Sequence, residues 1–182
     1  MTVAEAQREV RTEFAGGFFG QFVASALWFA SAALATWSTP RNAIVALVVG
    51  GFFIFPLTYA LLRATGRRPG LSKANSFGQL GMQVAFVLPL SLPLVAAAAT
   101  HHLEWFYPAF MVALGAHYLP FVFLYGMRMF ALLAGILVGA GVLIGLPLRE
   151  SLALGGWFTA VLLLVFAFVG LTSVWREEGR PT

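Results

Sequence analysis

The 182-residue chain has no cysteine, so disulfides, thiol nucleophiles and cysteine metal sites are excluded. It has no aspartate either, since all seven acidic side chains are glutamates, and the residue that most often orients a catalytic histidine is missing. Charge of either sign is scarce. Charged residues make up 10% and hydrophobic residues 60% of the chain, against about 25% and roughly 45–50% in soluble domains. A chain of this size exposes too much surface for so few charges to keep it in water. A soluble enzyme and a disordered chain are thereby excluded, and an integral membrane protein is what remains.

What is present is a series of long apolar runs. A spanning helix needs about 20 mostly apolar residues, and six segments qualify: 16–37, 42–62, 76–99, 105–126, 129–147 and 153–175. Lipid offers the backbone no hydrogen-bond partners, so these runs read as helices. A barrel would alternate in polarity, and Val161 to Val169 does not. The expected fold is therefore all-α, with 1–15 an amphipathic cytoplasmic segment, 16–175 a six-helix transmembrane domain and 176–182 a cytoplasmic tail. Ser38-Thr39-Pro40, Arg67-Arg68-Pro69-Gly70, His101-His102-Leu103-Glu104, Gly126-Met127-Arg128 and Pro147-Leu148-Arg149-Glu150 punctuate the spans.

The net charge of +4 reads as topological signal and not as a nucleic-acid surface. With the N-terminus in the cytoplasm, Arg8, Arg11, Arg63, Arg67, Arg68, Lys73, Arg128, Arg176 and Arg180 lie inside, and only Arg41 and Arg149 outside. Nine against two is a strong positive-inside bias, placing both termini in the cytoplasm. The leader mixes Glu5, Glu9 and Glu13 with Arg8 and Arg11, unlike a cleaved signal, and reads as retained. Within it, Val3, Ala6, Val10 and Phe14 recur at helical steps. That pattern fits a helix along the inner leaflet or a solvated lead-in to the first span.

No Glu, Lys or Arg falls in the middle of a span, which argues against a pump built on intramembrane carboxylates. One ionisable group remains there. His117 lies eleven residues before Arg128, or roughly 16 Å along a helix, with Ala109, Ala113, Ala116 and Pro120 on its side of the wheel. Small residues mark a close approach, so His117 is expected to face inward. Gln21 and Ser25 in span one, and Gln79 and Gln83 in span three, form one-turn pairs sharing a helix face. With Thr58, Tyr59 and Tyr125, these groups are expected to line a polar pocket open to the cytoplasm. Helix-to-helix bonding and a ligand site both remain open readings of them.

Pro56, Pro89, Pro93 and Pro120 lie inside spans, and each removes a backbone donor. They read as helix breaks of the kind transporters use, or as plain kinks. Ala131, Gly135 and Gly139, with Gly141 and Gly145, give span five a small-residue stripe that closes the bundle or joins two subunits. Trp37, Trp105, Tyr107 and Trp175 fit interfacial belts. His101, His102 and Glu104 are zinc-ligand types, but three crowded loop residues make a poor tetrahedral site. No G-x-S-x-G, Walker A, dinucleotide or H-E-x-x-H motif occurs. No metal, cofactor or nucleic-acid partner is expected.

The run Gly115-Ala116-His117-Tyr118-Leu119-Pro120-Phe121 through Leu124-Tyr125 resembles one in a family of small bacterial membrane proteins of unknown function. Arg11-Thr12-Glu13-Phe14, Phe55-Pro56-Leu57, and Asn75 with Gly78 match in order along nearly the whole chain. Ser76 stands where that pattern has proline. The resemblance implies a six-helix protein of the bacterial inner membrane, draws attention to His117, and carries no activity.

The sequence is therefore read as a six-helix bundle in a bacterial cytoplasmic membrane, forming a homo-oligomer. The leading function is a small permease or channel-like protein for a neutral or weakly ionised solute or lipid, bound around His117. The alternatives are a non-transporting scaffold that binds a partner through its glycine faces, and an intramembrane enzyme using His117 or Glu104.

Overall fold

A computed structural model of the chain describes residues 1–67, 69–148 and 151–178. Arg68, Arg149 and Arg180 of the charge count, and most of the expected tail, lie outside the described residues. The described residues are helical and contain no strand. In chain order the helices are α1 (Val3–Glu13), α2 (Phe18–Trp37), α3 (Pro40–Gly51), α4 (Ile54–Ala64), α5 (Phe77–Ala85), α6 (Val87–His101), α7 (Phe106–Tyr118), α8 (Phe121–Tyr125), α9 (Met129–Gly145) and α10 (Leu152–Glu178).

Four stretches are long and apolar enough to cross a membrane: Ala15–Trp37, Phe77–His101, Leu103–Tyr125 and Leu152–Glu177. The α3–α4 pair makes a fifth if its two halves, bent by 56°, form one span. The expected single helix over 42–62 is thus two. Gly50 and Gly51 weaken the first half, and Pro56 in the first turn of α4 denies the carbonyl of Phe52 an amide partner. α9 has 17 residues, or roughly 25 Å, shorter than the expected 129–147.

Proline marks the other interruptions. Pro89 lies in the first turn of α6, just past the α5–α6 junction at Phe86, and Pro120 is the N-cap of α8. Pro93 alone sits in a helix interior, two residues after Ser91 donates its hydroxyl to the carbonyl of Val87 at 2.7 Å. Thr39 caps α3 through the amide of Asn42, with Pro40 at the first helical position.

The core lies where α2, α7, α9 and α10 meet, around Trp28, Tyr107, Met111, Phe130, Leu133, Leu137 and Leu163. Small residues let these helices approach, as packing without a hydrophobic drive requires. A Cβ on Gly141 would fall 2.9 Å from the Pro108 carbonyl oxygen, and one on Gly145 3.0 Å from Pro108 Cβ. Those two glycines therefore close the bundle from within. Gly135 and Gly139 have no such neighbour within 4 Å and form a separate, outward stripe. Gly155 and Gly156 seat Tyr107, and Gly16 meets Gly170 backbone to backbone. The α5–α6 stretch is peripheral, with 11% of its most apolar window buried. Tyr107, expected in an interfacial belt, is instead fully buried, because its hydroxyl finds a partner inside.

Candidate functional site

The interior polar groups concentrate on α2. Gln21, Ser25 and Ser31 are 3%, 1% and 0% exposed, and their spacing holds them on the face packed against α10, α7 and α3 over about 15 Å. Ser25 Oγ donates to the Ala160 carbonyl of α10 at 2.7 Å. Ser31 Oγ donates to the Ala43 carbonyl at 2.9 Å, which uses its single proton. The Tyr107 hydroxyl, 2.6 Å away, is therefore the donor to Ser31 Oγ.

Other buried polar atoms, on α2, α4 and α10, have no partner among the described residues. Both polar atoms of the Gln21 amide are buried and unpaired, as are the hydroxyls of Thr159 and Thr58. Thr159 is fully buried and directly precedes the carbonyl that Ser25 bonds. The Gln21 amide sits at the start of α2. The point a Cβ would occupy on Gly17 is 3.5 Å from Gln21 Nε2 and 3.3 Å from Phe130 Cζ. The corresponding point on Gly20 is 3.9 Å from Thr58 Oγ1.

His117 belongs to a different seam. Its Nδ1 lies 3.1 Å from the Val84 carbonyl near the α5–α6 junction. A carbonyl only accepts, so Nδ1 carries the proton and Nε2 keeps a lone pair. The ring packs on Phe121 and Tyr118 at 5.0 and 5.6 Å, and these with Tyr125 surround Phe130. His117 thus faces protein, as its small-residue neighbours suggested, but the recess expected around it is not assembled. Gln79 and Gln83 are exposed while Phe77 and Val84 of the same helix are buried. Ser25 is held on the far side by α10. Gln21 Nε2 and the Phe130 ring both border Gly17, and Phe130 packs with Tyr125, Tyr118 and Phe121 of the His117 cluster; the exposed Gln79 and Gln83 are brought to neither. His101 and His102 pack tilted and edge-on against Trp105, and among the described residues no three metal-ligand side chains gather.

A third constellation joins α1 to the rest. Ala6 and Val10 are buried in an apolar cluster with Phe77, Val84 and Leu124, so the apolar face of α1 covers protein. Gln7 donates to the Phe123 carbonyl at 2.7 Å, and Arg11 to the Tyr125 carbonyl at 2.6 Å and the Glu177 carboxylate at 3.0 Å. Arg67 donates to the Thr12 carbonyl. Glu9 accepts from the Ser72 amide at 2.6 Å, the Ser72 hydroxyl at 3.1 Å and the Asn75 side chain at 2.8 Å. These bonds, led by the Ser72 amide, hold the Glu9 carboxyl below its ordinary range. The Thr2 capping box does the same for Glu5.

Periodicity identified Gln21 and Ser25. Ser31 continues the same helix face and was missed with Thr159 and Tyr107, which stand as single polar residues in apolar surroundings and carry no pattern. Glu9 had a weak signal as an acidic residue on an amphipathic helix, but its partners are distant in sequence.

An all-helical chain with four, or up to five, stretches long and apolar enough to cross a membrane is compatible with a helical membrane protein. The chain belongs to a family of unknown function, DUF7010, whose model matches residues 3–173. No curated protein and no solved structure matches it.

Proposed function

We propose that this chain is a six-span protein of the bacterial cytoplasmic membrane, with both termini inside, that passes a small neutral solute along the seam between α2 and α10. The carrying observation is the unpaired state of Gln21 and Thr159 beside the buried Ser25. A buried polar group without a partner costs about 1–3 kcal/mol, and native interiors leave few of them. Gathered in one seam of an otherwise apolar bundle, such groups suit a route whose solute supplies the missing partners. Among the described residues no charged side chain is buried, so an ion there would lack compensation. That favours a neutral solute. With the Nδ1 of His117 bonded to Val84, the reading moves from His117 to α2, and His117 acts as a tie to α5.

The contacts of α1 support six passes. They draw the end of α4, the start of α5 and the ends of α8 and α10 to α1. If α2, α5–α6, α7–α8 and α10 cross, α3–α4 and the short α9 must cross as well to connect them. The test is solute flux into proteoliposomes, followed by stopped-flow light scattering with glycerol and with acetamide. Wild-type protein is expected to exceed both protein-free vesicles and a folded Gln21→Leu variant. Rates equal to protein-free vesicles overturn the reading.

A scaffold role has one specific observation in its favour: the outward Gly135 and Gly139, which meet nothing within the chain. Self-association through that face would leave mass in detergent above that of one chain, and Gly139→Leu would reduce it to one.

A further inference from the structure

We infer that the C-terminal end of α4 seats an anionic phospholipid, with its phosphodiester held between Arg63 and Arg67. This seat lies apart from the solute route and shares no residue with it; it takes from the six-pass reading only that the end of α4 lies at the inner membrane surface. Three side chains along one stripe of α4 lead to it. Phe55, Tyr59 and Arg63 follow at four-residue steps, which puts them on neighbouring turns of one helix face. The rings of Phe55 and Tyr59 pack at 5.2 Å, and the Arg63 guanidinium lies 5.9 Å from the Tyr59 ring centre. Phe55 is exposed, so an aromatic surface runs about 12 Å along the helix to the guanidinium, open to an acyl chain.

The turn after α4 brings the second cation round. Gly66, at φ +78°, closes a Schellman cap in which its N–H donates to the Arg63 carbonyl and the Arg67 N–H to the Leu62 carbonyl, each at 3.0 Å. Arg67 is thereby turned back to share with Arg63 an open recess of about 600 Å³, lined also by Gly66 and the buried Pro69. A Cβ on Gly66 would meet nothing within 4 Å, so that side stays clear. The Thr12 carbonyl of α1 holds the Arg67 side chain. No carboxylate among the described residues pairs with Arg63, and the Tyr59 ring that orients it leaves its charge in place. Guanidinium groups match phosphate oxygens in bidentate geometry, and the inner leaflet supplies anionic headgroups. A phosphate presented at the bilayer surface with an acyl chain below it answers the charge and the aromatic stripe together. A free phosphate answers only the charge.

The experiment uses the full chain in a neutral detergent. Phosphatidylglycerol and phosphatidylcholine with identical acyl chains are offered in equal amounts, and the adducts are read by native mass spectrometry. Wild type should retain phosphatidylglycerol about tenfold over phosphatidylcholine, the effect of one net charge-assisted hydrogen bond. Arg63→Gln, at an exposed position, should bring the ratio near one while the chain stays folded, and Tyr59→Leu should lower it. Arg128→Gln, which removes an equal charge from another exposed position, should leave it unchanged. Sodium phosphate should displace no more lipid than sodium chloride of equal ionic strength. No preference in wild type overturns the seat, and so does an equal loss from Arg63→Gln and Arg128→Gln, which would reveal a diffuse attraction. Selective displacement by phosphate overturns a lipid occupant in favour of free phosphate. Labelling of a Lys73→Cys variant by an impermeant maleimide in intact spheroplasts would overturn the inner-surface placement and the six-pass reading with it, whatever the lipid ratio.

Discussion

Ser25 and Gln21 stand one turn apart on the same face of α2, and only one of them is satisfied. That difference separates a residue that ties two helices together from one whose amide has no partner among the described residues. Ser25→Ala should lower stability by about 0.6 kcal/mol, with 1.7 kcal/mol as the upper end for interhelical bonds in membranes, read from unfolding in mixed detergent. The glycines divide in the same way. A Cβ on Gly16 would fall 2.6 Å from the Gly170 carbonyl oxygen, at a φ of +63°. Gly16→Ala thus combines a backbone clash with a left-handed conformation that alanine adopts poorly, and a loss of roughly 1–3 kcal/mol is expected. Gly139→Ala meets nothing within 4 Å and should leave the unfolding midpoint unchanged or raise it slightly, since alanine holds a helix better than glycine. If both glycine variants unfold alike, the Gly16–Gly170 crossing is not the tight point of the bundle.

At the scale of the element, α1 is the part whose hold depends on charge. Its apolar face rests on α5 and α8, but its polar bonds run through Glu9 and Arg11. Glu9 is depressed below its unfolded value of about 4.3, so its contribution is present above that pH and fades as pH falls through the lower folded value. The protection factors of the α1 amides, which remove the intrinsic pH dependence of exchange, should fall on acidification through that range, and Glu9→Gln should flatten the response. An α1 whose protection factors ignore pH in wild type would show that Glu9 does not fasten it. This element also shows what periodicity can reveal. The apolar face of α1 and the long helices were legible because a 3.6-residue repeat and runs of about 20 apolar residues are physical requirements. What covers that face was not legible, since protein and lipid are equally apolar. For the same reason Gln79 and Gln83 were correctly placed on one face of α5, but the spacing could not say that Phe77 and Val84 would take the buried side. The break between α3 and α4 was half visible in Pro56, and its 56° bend was not.

For the whole molecule, the length of α9 and the position of α1 pull in opposite directions. Seventeen residues reach roughly 25 Å, short of the 30 Å or so of hydrocarbon, which taken alone would leave α9 on one side. Its two ends say otherwise. Met129 follows closely on Tyr125, whose carbonyl binds Arg11, and Leu152 begins the 27-residue α10, whose far end places Glu177 on that same Arg11. If α10 crosses, the end of α9 must lie opposite α1, and the mismatch is met by local thinning of the bilayer or by its polar flanks. The cysteine-free sequence makes this directly measurable. Single variants Arg41→Cys, Lys73→Cys and Ser151→Cys each replace an exposed residue. In intact spheroplasts an impermeant maleimide should label Arg41→Cys and Ser151→Cys, and it should label Lys73→Cys only after lysis. Labelling of Ser151→Cys only after lysis would place both ends of α9 on the inner side and reduce the protein to fewer spans, and the connectivity that carries α2 and α10 through the membrane together would fail with it.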